Sequence, residues 1–167
     1  MDTSIVYLRP VNVIAACARG PYATSVAKAW DLMSDWLRAS GARDDVTLRY
    51  GLLLDDPRVT APSECRYEAC IPLPSMHGPL PPNFSVKRLP YGAYARAHHV
   101  GGKIGIARTI STLRADWTPQ HGLILDSFRP VIEIYLDNPF NGPGEPQRID
   151  VCLPVMFPAD PIPLGPH

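Results

Sequence analysis

Glu133 is the residue of this chain best placed to do chemistry. It lies inside Pro130-Val131-Ile132-Glu133-Ile134-Tyr135-Leu136-Asp137-Asn138-Pro139, a run of β-branched and apolar residues closed by an Asp-Asn-Pro turn. On an alternating strand Glu133 and Tyr135 share one side, while Ile132, Ile134 and Leu136 share the other. A carboxylate between isoleucines has two readings. It is the polar residue that an exposed strand shows to water, or it is an acid inside a mostly apolar cavity, where it needs a cationic or hydrogen-bonding partner. In the second setting burial disfavours its charged form. Such a group can take a proton from water or give one to a leaving group, and Tyr135 could orient water or donate to a developing oxyanion. No nucleophile–base pair, no Ser-His-Asp order and no metal-ligand set stands out, so amide hydrolysis is not expected, nor is a metal or cofactor.

Other chemistry-bearing residues are weaker candidates. His98 and His99 are neighbours at a strand end and point to opposite faces, so at most one of them could enter a pocket. Gly101-Gly102 before a helix lacks the full glycine-rich pattern of a phosphate cradle. Trp30, Trp36 and Trp117 lie on or beside helix stripes, which favours core packing over ligand stacking; Trp117 is kept among the candidate ligand contacts. Tyr67 and Tyr94 sit on strands and are better pocket candidates. Asp55, Asp56 and Asp137 read as turn formers.

The chain behind these residues has 167 amino acids, enough for one domain or for two small halves sharing a core. Its 16 Lys and Arg are balanced by 16 Asp and Glu and are scattered, which argues against a nucleic-acid surface. No apolar run reaches the roughly 18 residues of a membrane span, and the N-terminus lacks a basic and then apolar signal pattern. Cys17, Cys65, Cys70 and Cys152 show neither a CxxC nor zinc-type spacing. They read as buried free thiols, which fits a reducing, cytoplasmic location.

The elements that must position Glu133 occur twice. Leu54-Asp55-Asp56-Pro57 matches Leu136-Asp137-Asn138-Pro139, and Arg66-Tyr67-Glu68-Ala69-Cys70-Ile71-Pro72 matches Arg148-Ile149-Asp150-Val151-Cys152-Leu153-Pro154, both at the same offset. Agreement at one offset in two separate blocks points to a tandem duplication. In the first half, the run from Ser4 to Arg19 reads as a strand ending at Gly20-Pro21-Tyr22. Thr24 or Ser25 is then expected to cap a helix. Val26, Trp30, Met33 and Leu37 make one apolar stripe on it, and Gly41 stops it. Strands follow over Leu48–Leu54 and Cys65–Leu73. Residues 72–83, with five prolines, read as a stiff connector.

The second half adds a strand over Phe84–Leu89 and then repeats the order. A strand spans Ala93–Val100, and a helix follows with Ile106, Ile110, Leu113 and Trp117 as its stripe, ended by Gly122. The Glu133 strand comes next, then a strand over Arg148–Met156. The predicted fold is therefore α+β: a tandem duplication of a strand-helix-strand-strand unit with pseudo-twofold symmetry, its antiparallel sheets flanking a central ligand cleft. The expected organisation is a single domain over 1–167, with halves 1–73 and 84–157 and a loosely held proline-rich tail at 158–167. At the offset of the repeat Glu133 falls on Gly51. That glycine is either a β-bulge or a place where one half supplies room and the other supplies charge.

Gly20-Pro21-Tyr22, Tyr50-Gly51 to Asp56-Pro57, Cys65-Arg66-Tyr67-Glu68-Ala69-Cys70, Pro90-Tyr91-Gly92-Ala93-Tyr94-Ala95 and Glu133 to Pro139, in this order, resemble the GyrI-like small-molecule-binding domain. The same module resembles the effector-binding half of AraC-type and multidrug-sensing regulators. The resemblance implies an aromatic-lined central pocket with one acid, which by motif falls on Glu133. It implies a stand-alone member that binds bulky, flat, hydrophobic and cationic small molecules, with Glu133, Tyr135, Gly51, Tyr67, Tyr94 and Trp117 as ligand contacts and no DNA binding of its own. Some stand-alone members of the family are hydrolases that open the cyclopropane ring of DNA-alkylating compounds; in such an enzyme Glu133 and Tyr135 would be the catalytic pair. Another member protects gyrase, which leaves a protein partner open.

Overall fold

The computed structural model describes residues 1–42, 48–75, 77–102, 104–139 and 146–159. The described strands are β1 (Thr3–Leu8), β2 (Asn12–Arg19), β3 (Arg49–Leu53), β4 (Arg66–Pro72), β5 (Phe84–Arg88), β6 (Gly92–Gly101), β7 (Ile124–Leu125), β8 (Val131–Tyr135) and β9 (Gln147–Met156). Helix α1 spans Tyr22–Ser40. Helix α2 (Ile104–Thr112) runs on through a π-helical turn, Leu113–Trp117, into a last α turn, α3 (Thr118–Gln120). The strands form one antiparallel sheet in the order β1-β6-β9-β8-β3-β4-β2-β5, with β7 paired to the end of β9.

Both faces of the sheet are covered, which is why its central strands read as nearly continuous apolar runs. One face carries Ile14, Ala16, Ala18, Tyr67, Ala69, Ala95, Ala97, Tyr135 and Val151 against the helices. The other packs Val13, Ala15, Leu52, Cys70, Tyr94, Ile132 and Cys152 into a second core. Helix α1 is seated over β2 and β4, and α2 over β6 and β9. Alanines at the seats let each helix approach the sheet closely, and the two central strands β3 and β8 become the floor between them. Helix α1 buries Val26, Ala29, Trp30, Met33 and Trp36, and it stops at Gly41, whose φ of 63° closes the last turn in the left-handed region.

Several expectations change. Two sheets flanking a cleft become one continuous sheet, because β3 and β8 pair and satisfy each other's backbone edges. The single strand expected over Ser4–Arg19 breaks at Arg9-Pro10-Val11, where proline removes a ladder donor. The piece before it, β1, crosses to pair with β6, while β5 pairs with β2. Helix α1 begins at Tyr22 with Pro21 at its cap position, so neither Thr24 nor Ser25 caps it. The Thr24 hydroxyl instead donates to the Pro21 carbonyl at 3.0 Å, and Ser25 is buried. The stripe of α2 holds through Ile106, Ile110 and Leu113, but the next buried residue is Thr118, not Trp117. The π turn adds one residue to that stretch of helix, and Trp117 packs against the same core only half-buried.

Candidate functional site

The site starts from a register pair. Gly51 of β3 lies opposite Glu133 of β8, and Leu53 opposite Val131. Glu133 points to the helix side of the sheet, together with Val131 and Tyr135, and is 3% exposed. A side chain at Gly51 would meet the phenol of Tyr67 from β4: an added Cβ would fall 2.0 Å from its Oη. The room at Gly51 is therefore filled by Tyr67, whose ring crosses the glycine to reach β8. The β-bulge alternative does not apply, because β3 pairs without interruption on both sides.

A chain of hydrogen bonds results. The Trp30 Nε1–H donates to Tyr67 Oη at 3.2 Å. Tyr67 Oη lies 3.1 Å from Tyr135 Oη. The Tyr135 hydroxyl donates to Glu133 Oε2 at 2.9 Å. Because the Tyr135 proton is committed to the carboxylate, Tyr67 must donate to Tyr135, and every donor points towards Glu133. Tyr135 also meets Trp30 edge to face at 5.3 Å between centroids. Both phenols titrate well above the ordinary tyrosine range, through burial first and then through the charge of Glu133. They remain protonated, so the chain of donors ends on Glu133 Oε2.

In front of Glu133 lies a cleft of about 470 Å³. One wall is the start of α1, with Tyr22, Ala23 and Val26. The facing wall is α2, with Ile106, Ala107, Ile110 and Ser111, and the π turn after it, with Arg114. Leu53, Val131 and Glu133 form the floor, and the loop after β3 contributes Asp55, Pro57 and Arg58 to the rim. The volume suits a drug-sized ligand.

The rim is ordered by ion pairs. Asp55 accepts from the backbone N–H and the Nε of Arg66 through Oδ2, both at 2.9 Å, and from Nη2 through Oδ1 at 3.0 Å. These bonds hold its carboxyl below the usual range. Asp56 is likewise lowered, chiefly by the forked guanidinium of Arg58. The Tyr22 hydroxyl donates to the Asp55 carbonyl at 2.7 Å and accepts from the Asp55 N–H at 3.0 Å, which fixes the ring as a wall; burial pushes its pKa up. Arg114 is lowered by burial and then by the like charge of Arg58, partly offset by Asp56.

The structure thus brings together Glu133, Tyr135, Gly51 and Tyr67, but in two layers. Tyr67 and Tyr135 are fully buried behind Glu133, and the aromatic that lines the cleft among the described residues is Tyr22. Tyr94 is on the opposite face of the sheet, in the second core. Its hydroxyl donates to the Pro90 carbonyl, and Arg129 lies over its ring at 4.7 Å. Trp117 stacks on His121 at 4.0 Å and does not line the cleft. Neither histidine of the His98-His99 pair lines it: His98 pairs with Asp150 at 2.8 Å, and His99 meets the Gly102 carbonyl and Thr109. The sequence reading missed Tyr22, Arg58 and Arg114 as site residues. Tyr22 had a signal in the Gly20-Pro21 turn, which delivers the next residue to a helix start.

Four free cysteines, three of them buried, agree with the reading of unpaired thiols. Among the described residues no group of three or more metal-ligating side chains occurs, and no helix is long and apolar enough to cross a membrane.

The chain belongs to the GyrI-like small-molecule-binding domain family, whose model matches residues 1–156. A probable transcriptional regulator, YgiV, of Escherichia coli O157:H7 is 37% identical over 76 residues, which is 44% of this chain and 46% of that protein. The match therefore spans about half the length of this curated relative. Among solved structures, the C-terminal domain of EcmrR superposes with a TM-score of 0.74 at 14% identity, over 93% of this chain and 98% of that one. SAV2435 bound to tetraphenylphosphonium superposes with a TM-score of 0.59 at 13% identity, over 93% and 94%. At these identities the likeness is one of fold.

Proposed function

We propose that the cleft binds a bulky, flat, hydrophobic small molecule that presents a cation or a hydrogen-bond donor to Glu133. The observation that carries this reading is a 3%-exposed carboxylate at the floor of an apolar cleft of about 470 Å³, bonded by the Tyr135 hydroxyl at the end of a chain of donors. Apolar burial against Val26, Ile106 and Ile110 supplies affinity. Glu133 supplies discrimination, since a carboxylate away from bulk water favours a positive partner. The tetraphenylphosphonium held by SAV2435, a fold neighbour, is a bulky hydrophobic cation, tetrahedral where the ligand proposed here is flat.

A dye titration tests the reading. Glu133→Gln should lower the affinity for tetraphenylphosphonium relative to neutral triphenylphosphine oxide by about tenfold, the loss of one charge-assisted contact. An unchanged ratio of the two affinities removes Glu133 from recognition.

A second reading, hydrolysis of a strained cyclopropane ring, draws on the same carboxylate. The Tyr135 proton is directed to Glu133 and not into the cleft, so in this reading Glu133 acts alone as the base and Tyr135 positions it. Incubation with a cyclopropane-bearing alkylator separates the two readings: ring-opened product beyond one equivalent, lost in Glu133→Gln, favours the enzyme, and stoichiometric capture favours the binder.

We also infer that the sheet is a duplicated unit. Support comes from its strand order, which reads the same from either end when β1, β2, β3 and β4 are exchanged with β5, β6, β8 and β9. Further support comes from the ion pair of Asp137 with Arg148, which repeats each bond of Asp55 with Arg66 at the offset of the repeat. Superposing 49–53 and 66–72 on 131–135 and 148–154 should place Cys70 on Cys152; a shifted register would sink the inference. The free thiols are consistent with a cytoplasmic site of action.

A further inference from the structure

The charges that line the cleft are not all of one kind. Asp55 is paired with Arg66, and Arg58 with Asp56. Arg114 also lines the cleft, from the π turn after α2, and no hydrogen bond or ion pair to it occurs among the described residues. It is half-buried, and the carboxylate within electrostatic reach, Asp56, is already forked by Arg58, so Arg114 has lost part of its water without gaining a carboxylate of its own. Ser111, one helical turn earlier, lines the same wall.

We propose that the cleft is built for a zwitterionic amphiphile: an apolar, ring-bearing body that carries a cation or N–H donor to Glu133 and a carboxylate to Arg114. The inference rests on the binding reading above and adds an anionic arm to it. A planar guanidinium is matched to a carboxylate by two parallel N–H donors, and a partly desolvated one gains more from such a partner than a fully hydrated one. Burial and the neighbouring Arg58 both work against the Arg114 charge, and a bound carboxylate relieves both. The Ser111 hydroxyl is available as a further donor to the same group. A purely cationic ligand would leave Arg114 with only the Asp56 charge that Arg58 already holds, and would face repulsion from both guanidiniums, so the cleft selects for opposite charges on one molecule.

Rhodamine 110, which carries a free carboxylate, and rhodamine 123, its methyl ester, share one cationic ring system and make a matched pair for a fluorescence titration. The wild-type protein should prefer the acid to the ester. Arg114→Gln should lower that preference about tenfold, and Arg114→Lys, which keeps the charge without the fork, should restore part of it. A thermal melt of each variant checks that it is folded. If both dyes bind and the acid-to-ester ratio is the same in wild type and Arg114→Gln, the anionic arm is overturned while the binding reading stands. If neither dye binds the wild-type protein, both readings fall.

Discussion

At the residue scale the site turns on a glycine whose missing side chain is replaced by a neighbour. Gly51 has ordinary strand backbone, so an alanine there would carry no backbone strain; the cost is steric alone. Its Cβ would fall 2.0 Å from Tyr67 Oη and 2.7 Å from Cζ. Tyr67 is fully buried between β4 and α1, so the ring cannot swing out to water. Gly51→Ala should therefore displace the phenol, break the links from Trp30 and to Tyr135, and loosen the Tyr135 hydroxyl that donates to Glu133. Overpacking of this kind costs about 1–3 kcal/mol, which is a fall of roughly 2–12 °C in Tm for a chain of this size. It should also weaken tetraphenylphosphonium binding. A variant that melts and binds as the wild type does would show that the Tyr67 ring is not wedged over Gly51. Alternation along the Glu133 strand revealed which residues share its face, and the repeat revealed that glycine stands opposite the acid. Which neighbour fills the glycine depends on the β3–β4 register, a non-local fact that no local pattern encodes.

At the scale of elements, the second helix shows how a regular period can mislead. Ile106, Ile110, Leu113 and Trp117 fit a 3.6-residue stripe in the sequence, yet the π turn at Leu113–Trp117 hands the next buried position to Thr118. Nothing in residue type marks such a turn in advance. The buried Thr118 Oγ1 has no hydrogen-bond partner, and an unsatisfied buried hydroxyl costs about 1–3 kcal/mol. Thr118→Val keeps the shape and the β-branch and removes that hydroxyl, so Tm should rise by a few degrees. A lower Tm would mean that the hydroxyl is satisfied in the folded protein. Tyr94 misled for a related reason: a tyrosine on a strand has two faces to choose from, and only the pairing of β6 between β1 and β9 puts Ala95 and Ala97 under α2 and Tyr94 beneath the sheet.

At the scale of the whole molecule, β3 and β8 meet at the Gly51–Glu133 pair, and the segments on either side of it differ in what they place on the cleft. Both segments carry the same Asp–Arg fork, but only one of them supports the cleft. Asp55 holds the Tyr22 wall through its backbone, whereas Asp137 and Arg148 lie at the outer surface and do not line the cleft. The two aspartates should therefore respond differently to the same change. Asp55→Asn should lower Tm by roughly 2–4 °C and weaken tetraphenylphosphonium binding as Tyr22 loosens, while Asp137→Asn should leave binding unchanged and move Tm little, as expected of an exposed pair. Their pH dependence has one sign. Each folded carboxyl titrates below the ordinary aspartate value, so its contribution is complete above the unfolded pKa and is lost as pH falls through the lower folded one. The stability gap between wild type and Asp55→Asn should accordingly be flat near neutrality and close below about pH 4. Equal losses of binding in Asp55→Asn and Asp137→Asn would mean that the two forks do the same work, and that the asymmetry of the cleft lies in Glu133 alone.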